Sequence, residues 1–523
     1  MIKHGNSALQ FECLKNPNNE TKDVVIVTVP YTDTSFPLMA PACLKPVVER
    51  AGFSCLATDL NAEIYNYITN HKDSMDFMPF FFDETLYNET IKQELFDIFE
   101  SSARQILSWK PKFVGLSLIS YVNQSSAKWL CWFLKRLDPS ITILIGGPGC
   151  LPRFTGPSEW AEHIISLGLV DYHIRGDGEH SLYEFLKGKK DYIGINSLEW
   201  REFTLEEMRK LPTPDYTQYK FDKYKYPALG LTGSRGCVRK CKFCDYIANW
   251  PTFTWRTADD IFAEMVTQYE KHGVRVFKFQ DSLTNGNQRE FRHLTKLLTD
   301  WNTANPEKSF KWSGFYIFRE HGSDIDELWR LVAGSGAEAL AVGIENLNQR
   351  IRYEMGKKFS NEAIDAHLHY AKKYGVTIQM LNIVGWIDET EEEIDFIKDW
   401  LRTHTEYKDI MYLVWGGTLG IFPNTWLSRN WEKLGLTKIG DQPPDWVNEK
   451  VGSTPDRRAR WVLEIEELSE ELGYNVIKNL DNHFILESLM KGDDIPVTSK
   501  ISGAAQLIRK DLVKKDEIQV NAI

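Results

Sequence analysis

Residues 229–244 read LGLTGSRGCVRKCKFC, and this stretch decides the fold. Its first four residues form a short run of strand character. They open into Gly236-Cys237-Val238-Arg239-Lys240-Cys241-Lys242-Phe243-Cys244, where three thiols are separated by three residues and then by two. Thiolates are soft ligands that suit iron–sulfur clusters and zinc. Arg235, Arg239, Lys240 and Lys242 bring positive charge close by, which favours the thiolate form. A structural zinc site closes with four ligands, yet no fourth Cys or His stands nearby and the next histidine is His272. Three thiolates suit a four-iron cluster with one iron open to a non-protein ligand. A zinc loop and three buried free cysteines are the alternative readings.

Downstream of the loop, strand-like runs at 274–279, 310–315, 339–344, 377–384 and 410–415 alternate with amphipathic helical stretches. With 229–232 they make six strand–helix units, too few for a closed eight-fold barrel and enough for a partial one. Thr257 with Asp260 and Thr390 with Glu393 have the spacing of capping boxes. Upstream, runs at 24–29, 53–58, 113–118, 141–145 and 170–174 alternate with helical patterns, as a doubly wound parallel sheet requires. A polar and aromatic stretch at 66–98 interrupts them without a clear period. In such sheets ligands sit beyond the carboxyl ends of the strands. Ser117, Ser120, Gly146, Gly147 and Gly176 fall at those ends. The glycines let a bulky ligand approach the backbone, and the hydroxyls can hydrogen-bond it.

The expected class is therefore α/β, in four parts. Residues 1–200 form a Rossmann-like α/β domain, 201–226 a linker rich in proline and tyrosine, 227–440 the partial barrel, and 441–523 a mainly helical extension with an alternating-charge tail from Arg509. A chain of 523 residues accommodates two or three domains. Hydrophobic residues at 42% and charged ones at 26% exclude disorder and coiled coil as the main state. The formal net charge of −11 leaves no whole-chain basic footprint, so nucleic acid is not an expected partner. No apolar run approaches the roughly 18–20 residues of a membrane span, and the polar start lacks a secretory signal's apolar centre. Cys13, Cys43, Cys55, Cys131 and Cys150 are scattered and make no disulfide framework. The expected compartment is the cytoplasm.

CxxxCxxC after the first strand of a βα series resembles the radical S-adenosylmethionine (SAM) superfamily. An α/β domain ahead of it resembles the branch with an N-terminal cobalamin-binding domain. Further matching stretches are Asp59-Leu60-Asn61, Gly146-Gly147-Pro148, Arg175-Gly176-Asp177-Gly178-Glu179, Gln280-Asp281-Ser282, Gly343-Ile344-Glu345, Met355-Gly356-Lys357 and Gly385-Trp386-Ile387-Asp388-Glu389-Thr390. The resemblance implies a [4Fe–4S] cluster on Cys237, Cys241 and Cys244, with SAM on the fourth iron. It implies Phe243 against the adenine, Asp281 near the methionine amino group, Glu345 near the ribose or methionine end, Arg319 on the methionine carboxylate and Gly385 at a close backbone approach. It implies cobalamin at Ser117, Ser120, Gly146, Gly147 and Gly176. The DxHxxG pattern that supplies a histidine to cobalt is absent, since the loop reads Tyr31-Thr32-Asp33-Thr34-Ser35-Phe36.

The implied reaction is reductive cleavage of SAM to a 5′-deoxyadenosyl radical, followed by methyl transfer to an unactivated centre of a small-molecule or peptide substrate. The electron comes from an external donor such as flavodoxin or ferredoxin. A radical cyclase, oxidase or rearrangement enzyme of the same architecture is the alternative within enzymes, and a zinc-binding scaffold the alternative outside them. Trp250, Trp312, Trp386 and Trp415 stand at or near strand ends, where they line a pocket or pack the core.

Overall fold

The computed structural model describes residues 9–87, 89–150, 160–197, 199, 202–320, 322–440 and 443–477. Most of the expected 441–523 extension, including the tail from Arg509, lies outside them. The chain divides into two compact units. One joins Met1–Val238 to Asp245–Ser282, the other Arg239–Cys244 to Leu283–Ile523.

In the first unit the strands β1 (Val24–Thr28), β2 (Cys55–Thr58), β3 (Phe113–Ser117), β4 (Thr142–Gly146) and β5 (Tyr172–Ile174) form one parallel sheet. Its order is β2-β1-β3-β4-β5, a doubly wound order whose direction reverses between β1 and β3. Every residue of β1 is buried, which is why it reads as four apolar residues in a row before Thr28, whose buried hydroxyl is satisfied by Asp59. Most of the stretch at 66–98, where no period was legible, lies in the helices Leu60–Thr69, Ser74–Phe82 and Glu89–Ser108. Helix Ser74–Phe82 buries Phe77, Phe80 and Phe81, and the ring of Phe80 packs on Phe99 and Trp129.

The same unit carries β6 (Ala228–Leu231), an antiparallel ribbon of β7 (Ser234–Arg235) and β8 (Thr254–Trp255), and β9 (Val276–Phe279), which runs parallel to β6. The second unit continues with β10 (Lys311–Tyr316), β11 (Ala337–Glu345), β12 (Thr377–Val384) and β13 (Met411–Thr418), paired in parallel in that order. Helices follow these strands in sequence, so the six βα repeats stand as expected. Thr390 and Glu393 form the expected capping box, whereas Thr257 acts as an N-cap whose hydroxyl accepts from Asp260 N–H and donates to the Asp260 carboxylate. Beyond them come the hairpin of β14 (Thr437–Lys438) with β15 (Trp446–Val447), the helix Pro455–Glu471, and β16 (Asn475–Ile477). Strand β16 adds in parallel to β13, an element absent from the sequence reading.

The turn after β12 shows what Gly385 does in this structure. Its φ is +84°, and a Cβ there would stand 2.2 Å from Cδ of Arg458. The close approach is that of a buried side chain, whose guanidinium donates to the carbonyls of Pro444 and Trp446. Glu389 accepts from the N–H groups of Gly385 and Trp386 and from Asn346 Nδ2. Burial pushes its carboxyl up to about 7. A raised carboxyl contributes stability that is whole below about pH 4.5 and lost as pH rises through 7. The melting temperature should therefore fall between pH 5 and 8, and Glu389→Gln should flatten that fall in a thermal-shift series.

Candidate functional site

The stem of the cysteine loop is fixed from several sides. Asp281, just past β9, accepts from Gly233 N–H at 2.7 Å and from the Ser234 hydroxyl at 2.8 Å. Ser282 donates its hydroxyl to the Gly236 carbonyl. Gly236 has φ +74°, and a Cβ there would lie 2.0 Å from the Thr252 carbonyl oxygen, so no other residue fits. Burial pushes the Asp281 carboxyl up to about 6. Asp281 thus ties the loop to the sheet. Asp281→Ala leaves a buried N–H and hydroxyl without that acceptor, at a cost of about 1–3 kcal/mol. We expect the variant to melt several degrees lower and to incorporate less iron, with Asp281→Asn between it and wild type. Unchanged melting and iron content would remove the carboxylate from this role.

Arg235, the last residue of the stem, reaches the carboxyl end of the first sheet. It donates to Asp177 Oδ1 at 2.8 Å, and through both terminal nitrogens to Glu179 at 3.1 and 2.5 Å. Its guanidinium also lies 4.7 Å from the centre of the Phe203 ring. Burial works against ionisation of Glu179, but the Arg235 charge overrides it and the carboxyl titrates below its ordinary value. At Asp177 burial dominates and the direction is upward. The charge that the sequence reading assigned to the thiolates is thus committed to two carboxylates.

These three residues border a cavity of about 350 Å³. It runs from Ser117, Gly146, Gly147 and Gly176 at the strand ends down the sheet face past Gly115, Ile26 and Leu144. Ser117 and the three glycines are therefore brought together. Ser120 is not among the lining residues, and instead shares a capping box with Asn123. Gly147 is constrained by its own chain as well, because with φ +99° a Cβ would stand 2.3 Å from the Leu118 carbonyl. The loop after β1 offers no histidine, and its Asp33 accepts from Ser35 N–H.

Residues 239–244 belong to the second unit, which holds them by its own contacts. Lys242 N–H donates to the Met355 carbonyl, and its own carbonyl accepts from Leu427 N–H. Gly356, with φ +99°, lets that turn close on Cys241, whose Cα would be 3.2 Å from an added Cβ. Phe243 packs against a core that includes Ile351, Met355 and Trp386. Lys242 lies 4.7 Å from the centre of the Trp426 ring, so a second of the four cations is partly engaged. Glu345 has φ +66° and pairs with Lys357 Nζ at 2.8 Å. Arg319 donates to the carbonyls of Asn285 and Gly286 and borders a separate cavity with His367.

The thiols differ in environment. Cys237 and Cys244 are half-buried and Cys241 is buried. Burial pushes the thiols of Cys13, Cys43, Cys131 and Cys150 upward, and that of Cys55 up to about 12. Among the described residues no three His, Cys, Asp or Glu side chains gather as they would around one metal ion.

Residues 231–401, which begin just ahead of the cysteine loop, match the family model of the radical SAM superfamily. This segment is a radical SAM domain. Over 366 residues the chain is 22% identical to an uncharacterized methyltransferase of Pyrococcus horikoshii, covering 64% of this chain and 75% of the relative. It is 21% identical over 308 residues to the anaerobic magnesium-protoporphyrin IX monomethyl ester cyclase of Synechocystis, covering 54% of this chain and 58% of that one. Among solved structures it resembles the radical SAM methyltransferase TsrM from Kitasatospora setae, determined with cobalamin and a [4Fe–4S] cluster bound. The TM-score is 0.59 at 14% identity, over 88% of this chain and 94% of that one, a likeness of fold.

Sequence reasoning missed the roles of Arg235, Asp177 and Glu179 in and before the radical SAM domain. The available signal was a pair of carboxylates flanking Gly178 at a helix start, with an arginine on the loop stem. It also left the tryptophans unsorted. Trp250 borders the cavity and stacks on Tyr246 with ring centres 5.1 Å apart. Trp312, Trp386 and Trp415 are core residues whose indole N–H groups donate to Ser335, Glu354 and Ser469.

Proposed function

We propose that the protein is a cobalamin-dependent radical SAM methyltransferase acting on an unactivated carbon or phosphorus centre of a small-molecule or peptide substrate. The observation that carries this reading is the cavity at the carboxyl end of the first sheet, bordered by Ser234 and Arg235 of the cysteine-loop stem. Cys237, Cys241 and Cys244 are the thiolate set for a [4Fe–4S] cluster with one iron left for SAM. The cavity fits the flat base and sugar of a cobalamin nucleotide tail, with apolar walls at Ile26, Leu144 and Leu182 and a hydroxyl at Ser117. When bound, the cluster supplies the electron that converts SAM to a deoxyadenosyl radical, and cobalamin carries the methyl group.

The chain's own part is to hold and align. Asp281, Ser282 and Arg235 fix the loop stem. Phe243 and the Met355–Lys357 turn seat the loop's second half. The Glu345 carboxylate, kept in place by Lys357, is available to the sugar or methionine end of SAM. We assign the cobalamin part to residues 1–200, joined through 201–226 to the barrel at 227–440 and the extension at 441–523. No described helix is long and apolar enough to cross a membrane. A cytoplasmic setting and a flavodoxin or ferredoxin donor complete the proposal.

The test is anaerobic turnover of reconstituted protein with methyl-labelled SAM. Deoxyadenosine release with label entering the substrate supports methyl transfer. Radical ring closure without methyl transfer is a second reading, favoured by the likeness to the magnesium-protoporphyrin cyclase. Deoxyadenosine release without cobalamin uptake would select it.

A further inference from the structure

We propose that Arg235 is a positioning residue that couples the ligand of the first-sheet cavity to the start of the cysteine loop. This rests on the proposed function, which places cobalamin in that cavity and the cluster on that loop. The geometry is particular to this residue. Arg235 lies two positions before Cys237, in the ribbon partnered by Thr254. Its guanidinium is held by Asp177 and Glu179, on either side of Gly178 where the helix Gly178–Leu186 begins. Asp177 also accepts from Phe203 N–H at 2.5 Å, so the turn cannot swing away freely. All three charged residues form cavity wall.

A ligand that fills the cavity therefore leans on the carboxylates that grip the loop stem. Anything that orders the stem orders that wall in turn, and a coupling of this kind acts equally in both directions. The fork of a guanidinium across Glu179 gives the link direction as well as strength. A flexible point charge at 235 would keep attraction but lose the two-pronged fit. A neutral side chain would leave two buried carboxylates facing each other across one glycine.

The experiment measures the dissociation constant of hydroxocobalamin for cluster-loaded and cluster-free protein, by equilibrium dialysis under anaerobic conditions. In wild type the loaded form should bind at least about five- to tenfold more tightly, within the usual range of coupling between sites. Arg235→Gln should bring that ratio to within about twofold of unity, and Arg235→Lys should fall between. A purely structural role would weaken both forms alike and leave the ratio standing. Should Arg235→Gln fail to fold, Glu179→Gln, which keeps an acceptor and removes one charge, carries the same expectation. A ratio of one in wild type, or an unchanged ratio in the folded variants, overturns the coupling alone. No cobalamin uptake by either wild-type form overturns the proposed function and this inference with it.

Discussion

Replacing Cys237, Cys241 or Cys244 with alanine takes 5′-deoxyadenosine release to background in an anaerobic assay with a strong reductant. A cluster with an open iron has only three protein ligands, and none is spare. The other five cysteines offer no substitute, because burial holds each thiol in its protonated form at neutral pH. Cys131→Ala is the control, since that residue is packed in the first sheet's core and should leave SAM cleavage intact. Wild-type deoxyadenosine from Cys241→Ala would sink the cluster assignment.

The second large effect is at Ser117. It ends β3 opposite Gly146 of β4, and its side chain borders the cavity. Ser117→Phe places a ring where the proposed function puts the ligand's tail, and on that reading cobalamin affinity should fall at least about 100-fold, or ~2.7 kcal/mol. Protein passed through gel filtration with excess hydroxocobalamin should emerge without its absorbance, while iron content and SAM cleavage stay near wild type. Gly147 would be a poorer choice, because any side chain there meets the Leu118 carbonyl before it meets a ligand. Stoichiometric cobalamin on Ser117→Phe would mean that the cofactor sits elsewhere.

Both experiments use features that were legible in the sequence to different degrees. Strand β1 was readable because burial on both faces leaves four consecutive apolar residues along it, and β12 because apolar residues still dominate TIQMLNIV although Gln379 and Asn382 are buried within it. The helix Ser74–Phe82 was not, since MDFMPFFF presents apolar residues all round and carries Pro79 inside. The cysteines were legible from spacing alone. Asp281 was legible as a residue worth naming, but its partners Gly233 and Ser234 lie 48 and 47 positions away. Arg235 was misassigned for the same reason: its nearest sequence neighbours are the thiols, whereas the groups that bind it are 58 and 56 positions upstream. Single-sequence reasoning sees charge along the chain and is blind to charge brought in by the fold.

The uneven burial of the eight thiols also makes the protein its own occupancy gauge. A mild alkylating reagent at neutral pH should modify Cys237 and Cys244 first, because they are half-buried while Cys13, Cys55, Cys131 and Cys150 are buried, and Cys43, though half-buried as well, has its thiol pushed upward by its apolar surroundings. Assembly of the cluster would mask both. Mass spectrometry of peptides carrying these two positions would then report the fraction of chains loaded, chain by chain, without iron analysis and without any substrate in hand.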